Sequence, residues 1–159
     1  MPKYSSGAVG WTPVAHADGA SALANASYHA LRTTTTSTLK LMELFVGGEA
    51  TSSAVNRMSL RRLSTNASTP TDVAPAKYQP LSAAAVSQGY SAATTGPTIA
   101  STDHLLNISF NAFGGAIRWL AAPDEEIWAT AQTAPNGQLV FDSISGTGVV
   151  SDSLIFEEV

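Results

Sequence analysis

At 159 residues, with 44% apolar and only 13% charged side chains, the chain has the length of one domain and enough apolar content for a core without covalent staples. It has no cysteine, which excludes disulfides and thiol chemistry, and eight Lys and Arg within a net charge of −4 leave no basic footprint for nucleic acid. No apolar run reaches the length of a membrane span, and residues 1–6 lack the apolar stretch of a secretory signal, so synthesis and folding in a cytoplasm are expected.

Residues 1–26 are rich in Gly, Ala, Ser and Asn, with Tyr4 and Trp11 as isolated large side chains. This composition predicts an extended N-terminal arm, with one possible helical turn at 20–26. The two aromatic anchors imply docking, either on the chain's own sandwich or on a neighbour. Strand character begins at Tyr28. Residues 28–35 and 38–46 carry β-branched and large apolar side chains, and Gly47-Gly48 ends the second run. Along 54–63, alternation puts Met58 and Leu60 toward a core, with Arg57 and Arg61 on the opposite face. Residues 64–100 hold Pro70, Pro75, Pro80 and Pro97 among many Ser, Thr and Ala, which predicts a long loop region with one short strand near 78–81.

The last third alternates most clearly. Residues 104–112 read as a strand, Gly114-Gly115 as a turn, and 116–120 as the next strand. Pro123 opens a turn before a strand at 126–133. Pro135-Asn136-Gly137 is a hairpin signal, because Asn-Gly accepts the positive φ of a type I′ turn. Strands at 138–144 and 149–158 close the chain. Strands at this spacing predict an all-β fold, an antiparallel, jelly-roll-like β-sandwich of about eight strands. Its domain would be residues 27–159, preceded by the arm at 1–26.

Charge is unevenly distributed. Residues 1–118 carry all eight bases and five acids, +3, whereas 119–159 carry seven acids and no base, −7. One half could attract the opposite half of another copy.

Few residues suggest chemistry. Neither a dinucleotide-binding glycine motif nor a phosphate-binding loop occurs, and no Gly-x-Ser-x-Gly elbow is present. A Ser-His-Asp set could be assembled around His104 or His29, but a serine-rich chain permits that by chance. His16 and Asp18 in the arm, and Asp103-His104 at a strand start, read as surface residues rather than metal ligands. Asp124-Glu125-Glu126 crowds three carboxylates into one turn, unlike the opposed pair of a glycosidase. Trp119 and Trp128, on adjacent strands, read as a core pair, with a sugar platform as the rival. Arg57, Arg61 and Arg62 form the only basic cluster, suited to an acidic protein partner. No enzyme, cofactor or metal is expected. Tyr4, Trp11, Arg57, Arg61 and Arg62 are the candidate partner-interface residues.

Three stretches together resemble a group of small β-sandwich proteins from tailed bacteriophage virions. They are residues 39–48 leading to 56–62, residues 115–127, and residues 148–158. The second holds Trp119-Leu120-Ala121-Ala122-Pro123-Asp124-Glu125-Glu126-Ile127, a W-x-A-x-P-x-E-x-I pattern, and the third ends Ile155-Phe156-Glu157-Glu158. The resemblance implies a capsid decoration (cement) protein bound to the major capsid protein at the virion surface. It also implies self-association, with a trimer favoured. A tail- or fibre-associated sandwich and a carbohydrate-binding module are the alternatives.

Overall fold

The computed structural model describes residues 1–16, 22–130 and 137–159. Among them there is no helix. The strands are β1 (Lys3–Trp11), β2 (His29–Arg32), β3 (Leu39–Gly48), β4 (Val55–Thr65), β5 (Ser68–Val73), β6 (Ala76–Lys77), β7 (Gln88–Thr95), β8 (Thr98–Asn111), β9 (Ala116–Leu120), β10 (Ile127–Ala129), β11 (Gln138–Ser145) and β12 (Val150–Glu158). They form two antiparallel sheets packed against each other. The front sheet runs β10-β3-β12-β1-β6, with β9 also on β3, and the back sheet runs β5-β7-β2-β11-β4-β8.

β9 pairs with Glu43–Gly47 and β10 with Leu39–Leu41, so the two follow one another along a single edge of β3. Counted as one interrupted strand, they complete a nested set: β1 pairs with β12, β2 with β11, β3 with β9/β10, and β4 with β8. Successive pairs alternate between the sheets, which is the winding of a jelly roll. The expected antiparallel sandwich is therefore present. The region at 64–100 departs from the expected loop. It inserts β5, β6 and β7 between β4 and β8 and widens both sheets beyond β1 and β2. The short strand foreseen near 78–81 is a turn; β6 lies just before it, and the Tyr78 N–H donates to the Lys3 carbonyl.

The division into an arm at 1–26 and a sandwich at 27–159 also needs correction. β1 is an inner strand, held by β12 along its length and by β6 at Tyr4 and Ser5. Tyr4 and Trp11 are core residues: Tyr4 packs on Phe156 at 5.7 Å, and Trp11 meets Phe141 edge-on at 6.3 Å. The small residues of this segment do not keep it from pairing as a strand. No helix occurs at 22–28, and the remainder of the turn expected at 20–26 lies outside the described residues.

Two apolar clusters follow from strand alternation. The main one fills the space between the sheets, with Leu41, Leu44, Met58, Leu60, Phe141, Leu154 and Phe156 among its members. Burying one such side chain contributes about 1.5–3 kcal/mol. The second lies on the outer face of the back sheet, where Leu23 and Tyr28 cover Ala30, Leu63, Tyr90, Ile99 and Val140. The N-terminal chain thus serves twice, first as β1 and then as a cover on the back face.

That cover explains the arginines. Met58 and Leu60 face the main core and Arg57 is exposed, as alternation requires. Arg61 sits on the opposite face, yet it is fully buried, because that face is covered. Its Nε and Nη2 donate to the two Asp142 oxygens at 3.0 Å each, and Nη2 also reaches the His16 carbonyl at 3.2 Å. The charge asymmetry along the chain resolves in the same way. Lys3–Glu157 (3.8 Å), Lys40–Glu126 (3.3 Å) and Arg61–Asp142 each join a base from the first 118 residues to an acid from the last 41. The complementary halves meet within one chain.

Arg61→Ala leaves the Asp142 carboxylate without its buried countercharge. We expect a loss of about 3–5 kcal/mol in urea-unfolding free energy, with much of it recovered when Asp142 is replaced by Leu in the same chain.

Candidate functional site

Alternation along β1 turns Tyr4, Ser6 and Ala8 inward, and along β12 turns Val150, Asp152, Leu154 and Phe156 inward. His29, the first residue of β2, projects from the back sheet toward them. Three polar side chains remote in sequence meet in the gap between the sheets. Ser6 Oγ lies 2.9 Å from His29 Nε2, and His29 Nδ1 lies 2.6 Å from Asp152 Oδ2. The second carboxylate oxygen, Oδ1, accepts from Trp11 Nε1 at 2.7 Å. All four side chains are buried.

The bonding pattern sets the proton positions. An ionised Asp152 can only accept, so Nδ1 carries a hydrogen and donates. In the neutral imidazole the Nε2 lone pair then faces Ser6, whose hydroxyl donates to it. This is the connectivity of a serine nucleophile, its base and the base's orienting carboxylate. Gly89 of β7 makes room for it: a Cβ at that position would stand 2.1 Å from Ser6 Oγ and 3.5 Å from His29 Nε2.

Ser6 and His29 also line a cleft of about 610 Å³ at the side of the sandwich, between the β1 edge and the 25–27 and 89–91 segments. Trp11, Thr12, Asn25, Ser27 and Ser91 contribute to its wall. Among the described residues, no Lys, Arg, Asp or Glu lines it.

Beside the cleft, Tyr28 and Tyr90 meet edge-on at 5.9 Å. Tyr90 donates to Gln138 Oε1 at 2.5 Å, whereas the buried Tyr28 hydroxyl has no partner among the described residues. Burial pushes the Tyr28 phenol up to about 12 and raises Tyr90 as well. Burial and the neighbouring Arg61 push His16 down.

The candidate residues from sequence disperse. Tyr4, Trp11 and Arg61 are taken up inside the chain, which leaves them no surface to offer a partner. Arg57 is exposed, and Arg62 donates to the Trp128 carbonyl at 2.8 Å. His104 bonds Ser59 and Asn107 at 3.2 Å each. Asp124 turns the chain at φ 68°. Glu126 pairs with Lys40, and its carboxyl is held below the usual range by its own backbone N–H and by the Lys40 ammonium. Trp119 packs on the core, but Trp128 points outward, 40% exposed, with Lys40 Nζ 5.0 Å from its ring centroid. The two tryptophans therefore do not form the expected core pair. Among the described residues no three His, Asp or Glu converge on a metal position. Asp18 and the Pro135-Asn136 hairpin signal lie outside the described residues.

No protein-family model matches the chain, and no curated protein matches it.

Two measurements test this geometry. Gly89→Ala forces Ser6 off the imidazole, and we expect it to cost about 1–3 kcal/mol by chemical denaturation. An ultraviolet alkaline titration should show Tyr28 ionising near pH 12. Its folded value lies above the unfolded value of about 10. Its contribution to stability is therefore intact below pH ~10 and lost as the pH rises toward the folded value. Tyr28→Phe should remove that alkaline loss and leave neutral-pH stability unchanged or higher.

Proposed function

We propose that the chain is a structural protein of a virion, a capsid decoration protein that binds the major capsid protein lattice and associates with copies of itself. The observation that carries this reading is the difference between the two outer faces. Part of the back face is covered by Leu23 and Tyr28 of the chain's own N-terminal region. Among the described residues the front face has no such cover. Its outward positions are mostly small or hydroxyl-bearing, Ser5, Gly7, Ser151 and Ser153, with Phe45 (43% exposed), Leu120 (62%) and Trp128 projecting among them.

Several charges on that face are already paired. Arg118 donates to both Glu43 oxygens, at 2.6 and 3.1 Å, and Lys40 and Lys3 are paired as described. A sheet face with self-paired charges and protruding apolar groups suits docking on a large, repetitive surface. Many modest contacts then sum over a lattice. The resemblance of residues 39–48 and 56–62, 115–127 and 148–158 to phage virion sandwiches points the same way. A jelly roll alone does not decide, since capsid and lectin domains share it.

Carbohydrate binding is the second reading, favoured by the outward Trp128 ring. Purified chain mixed with assembled shells of the parent phage separates the two. The double variant Phe45→Glu, Leu120→Glu should keep its melting temperature and lose roughly 10²-fold in shell affinity. Unchanged shell binding by that variant would overturn the front-face assignment. Glycan binding abolished by Trp128→Ala, with no binding to shells, would favour the carbohydrate reading.

A further inference from the structure

The geometry points to a serine nucleophile at Ser6, with His29 as its base and Asp152 and Trp11 as positioning residues, acting on a neutral short-chain acyl ester in the adjoining cleft. This goes beyond the assembly reading and does not depend on it.

Four observations converge. The Ser6–His29 and His29–Asp152 distances of 2.9 and 2.6 Å link the three groups in the order that acyl transfer needs. The far carboxylate oxygen is fixed by Trp11 Nε1, so the imidazole is held from behind. Ser6 and His29 both border a cleft of about 610 Å³, large enough for a small ester. The fourth is a donor for the oxyanion. The Lys3 carbonyl accepts from Tyr78 on the β6 side of β1, and strand alternation turns the Gly7 N–H to that same edge. β6 covers that edge only at Tyr4 and Ser5, leaving the Gly7 N–H, directly after the nucleophile, beside the cleft.

The lining defines the substrate class. With no Lys, Arg, Asp or Glu among its described residues, the cleft offers no countercharge to a phosphate, a carboxylate or an ammonium group. Thr12, Asn25, Ser27 and Ser91 offer hydroxyl and amide partners, which suit a hydroxyl-rich alcohol such as a sugar. In the first step Ser6 Oγ bonds to the acyl carbon while His29 Nε2 takes the serine proton. The tetrahedral intermediate expels the alcohol, which leaves with that proton, and the acyl group stays on Ser6. Water then attacks the acyl carbon and gives its proton to His29. The Ser6–acyl bond breaks, Ser6 recovers the proton, and a carboxylic acid is released.

The test uses the full chain, a fluorophosphonate probe and 4-nitrophenyl acetate. We expect stoichiometric labelling, mapped by peptide mass to Ser6, together with ester turnover. Ser6→Ala should lose the label and at least roughly 10²-fold in turnover. Mapping the wild-type adduct needs no variant, so the result stands even where Ser6→Ala folds poorly. Asp152→Asn should slow labelling and alter its pH profile, a change that a packing defect alone would not produce. Absence of a Ser6 adduct between about pH 6 and 9 would overturn the inference and leave the cluster as a polar clamp between the sheets. A label on another residue, or undiminished turnover in folded Ser6→Ala, would overturn it equally.

Discussion

The pairing of β1 with β12 is the constraint on which the rest of the molecule depends. β12 lies between β1 and β3, so the two ends of the chain form the middle of the front sheet. Every inner pair of the jelly roll is nested inside that outermost one. The same pairing places Ser6 near Asp152 and Trp11 within reach of its carboxylate. Without it β1 and β6 lose their place in the front sheet, and the polar cluster loses Ser6 and Trp11.

A second principle is the use of polar groups in the interior. Arg61–Asp142 and Ser6–His29–Asp152 both lie where apolar side chains would pack more cheaply, and both join segments far apart in sequence. Buried polar groups carry a desolvation cost that only well-aligned partners offset. Arg61 meets its acid with two parallel bonds, and Asp152 has donors on both oxygens. Such alignment works against slipped registers, because a one-residue shift would turn every member to the wrong face.

Much of the architecture was legible where alternation was strong. β3, β4, β9, β11 and β12 follow their apolar periodicity, and Gly114 marks a turn with φ 73°. β1 was hidden because Ser, Gly and Ala have weak strand preference. Its signal was the period-two placement of Tyr4, Ser6 and Ala8. β5 and β7 were hidden by Pro70 and by runs of Ser, Thr and Ala. Pro70 is tolerated because β5 is an edge strand, where one side of the backbone needs no partner. The polar cluster had no linear signature at all. Positions 6, 29 and 152 are brought together by strand register, and spacing in sequence carries no trace of that. Arg61 was assigned to the correct face of β4, but nothing in its neighbours revealed that a distant segment would cover that face.

The end-to-end pairing also has a consequence for the order of events in folding. The Trp11–Asp152 bond spans 141 residues, a closure whose chain entropy costs about 4 kcal/mol by the logarithmic loop law. β1 is synthesised well before β12, so the earlier strand waits for the later one. Until β12 is available, the front sheet lacks the strand that joins β1 to β3, and both present unpaired edges. Folding of this sandwich is therefore slow and non-local, with its greatest exposure to aggregation before that pairing forms.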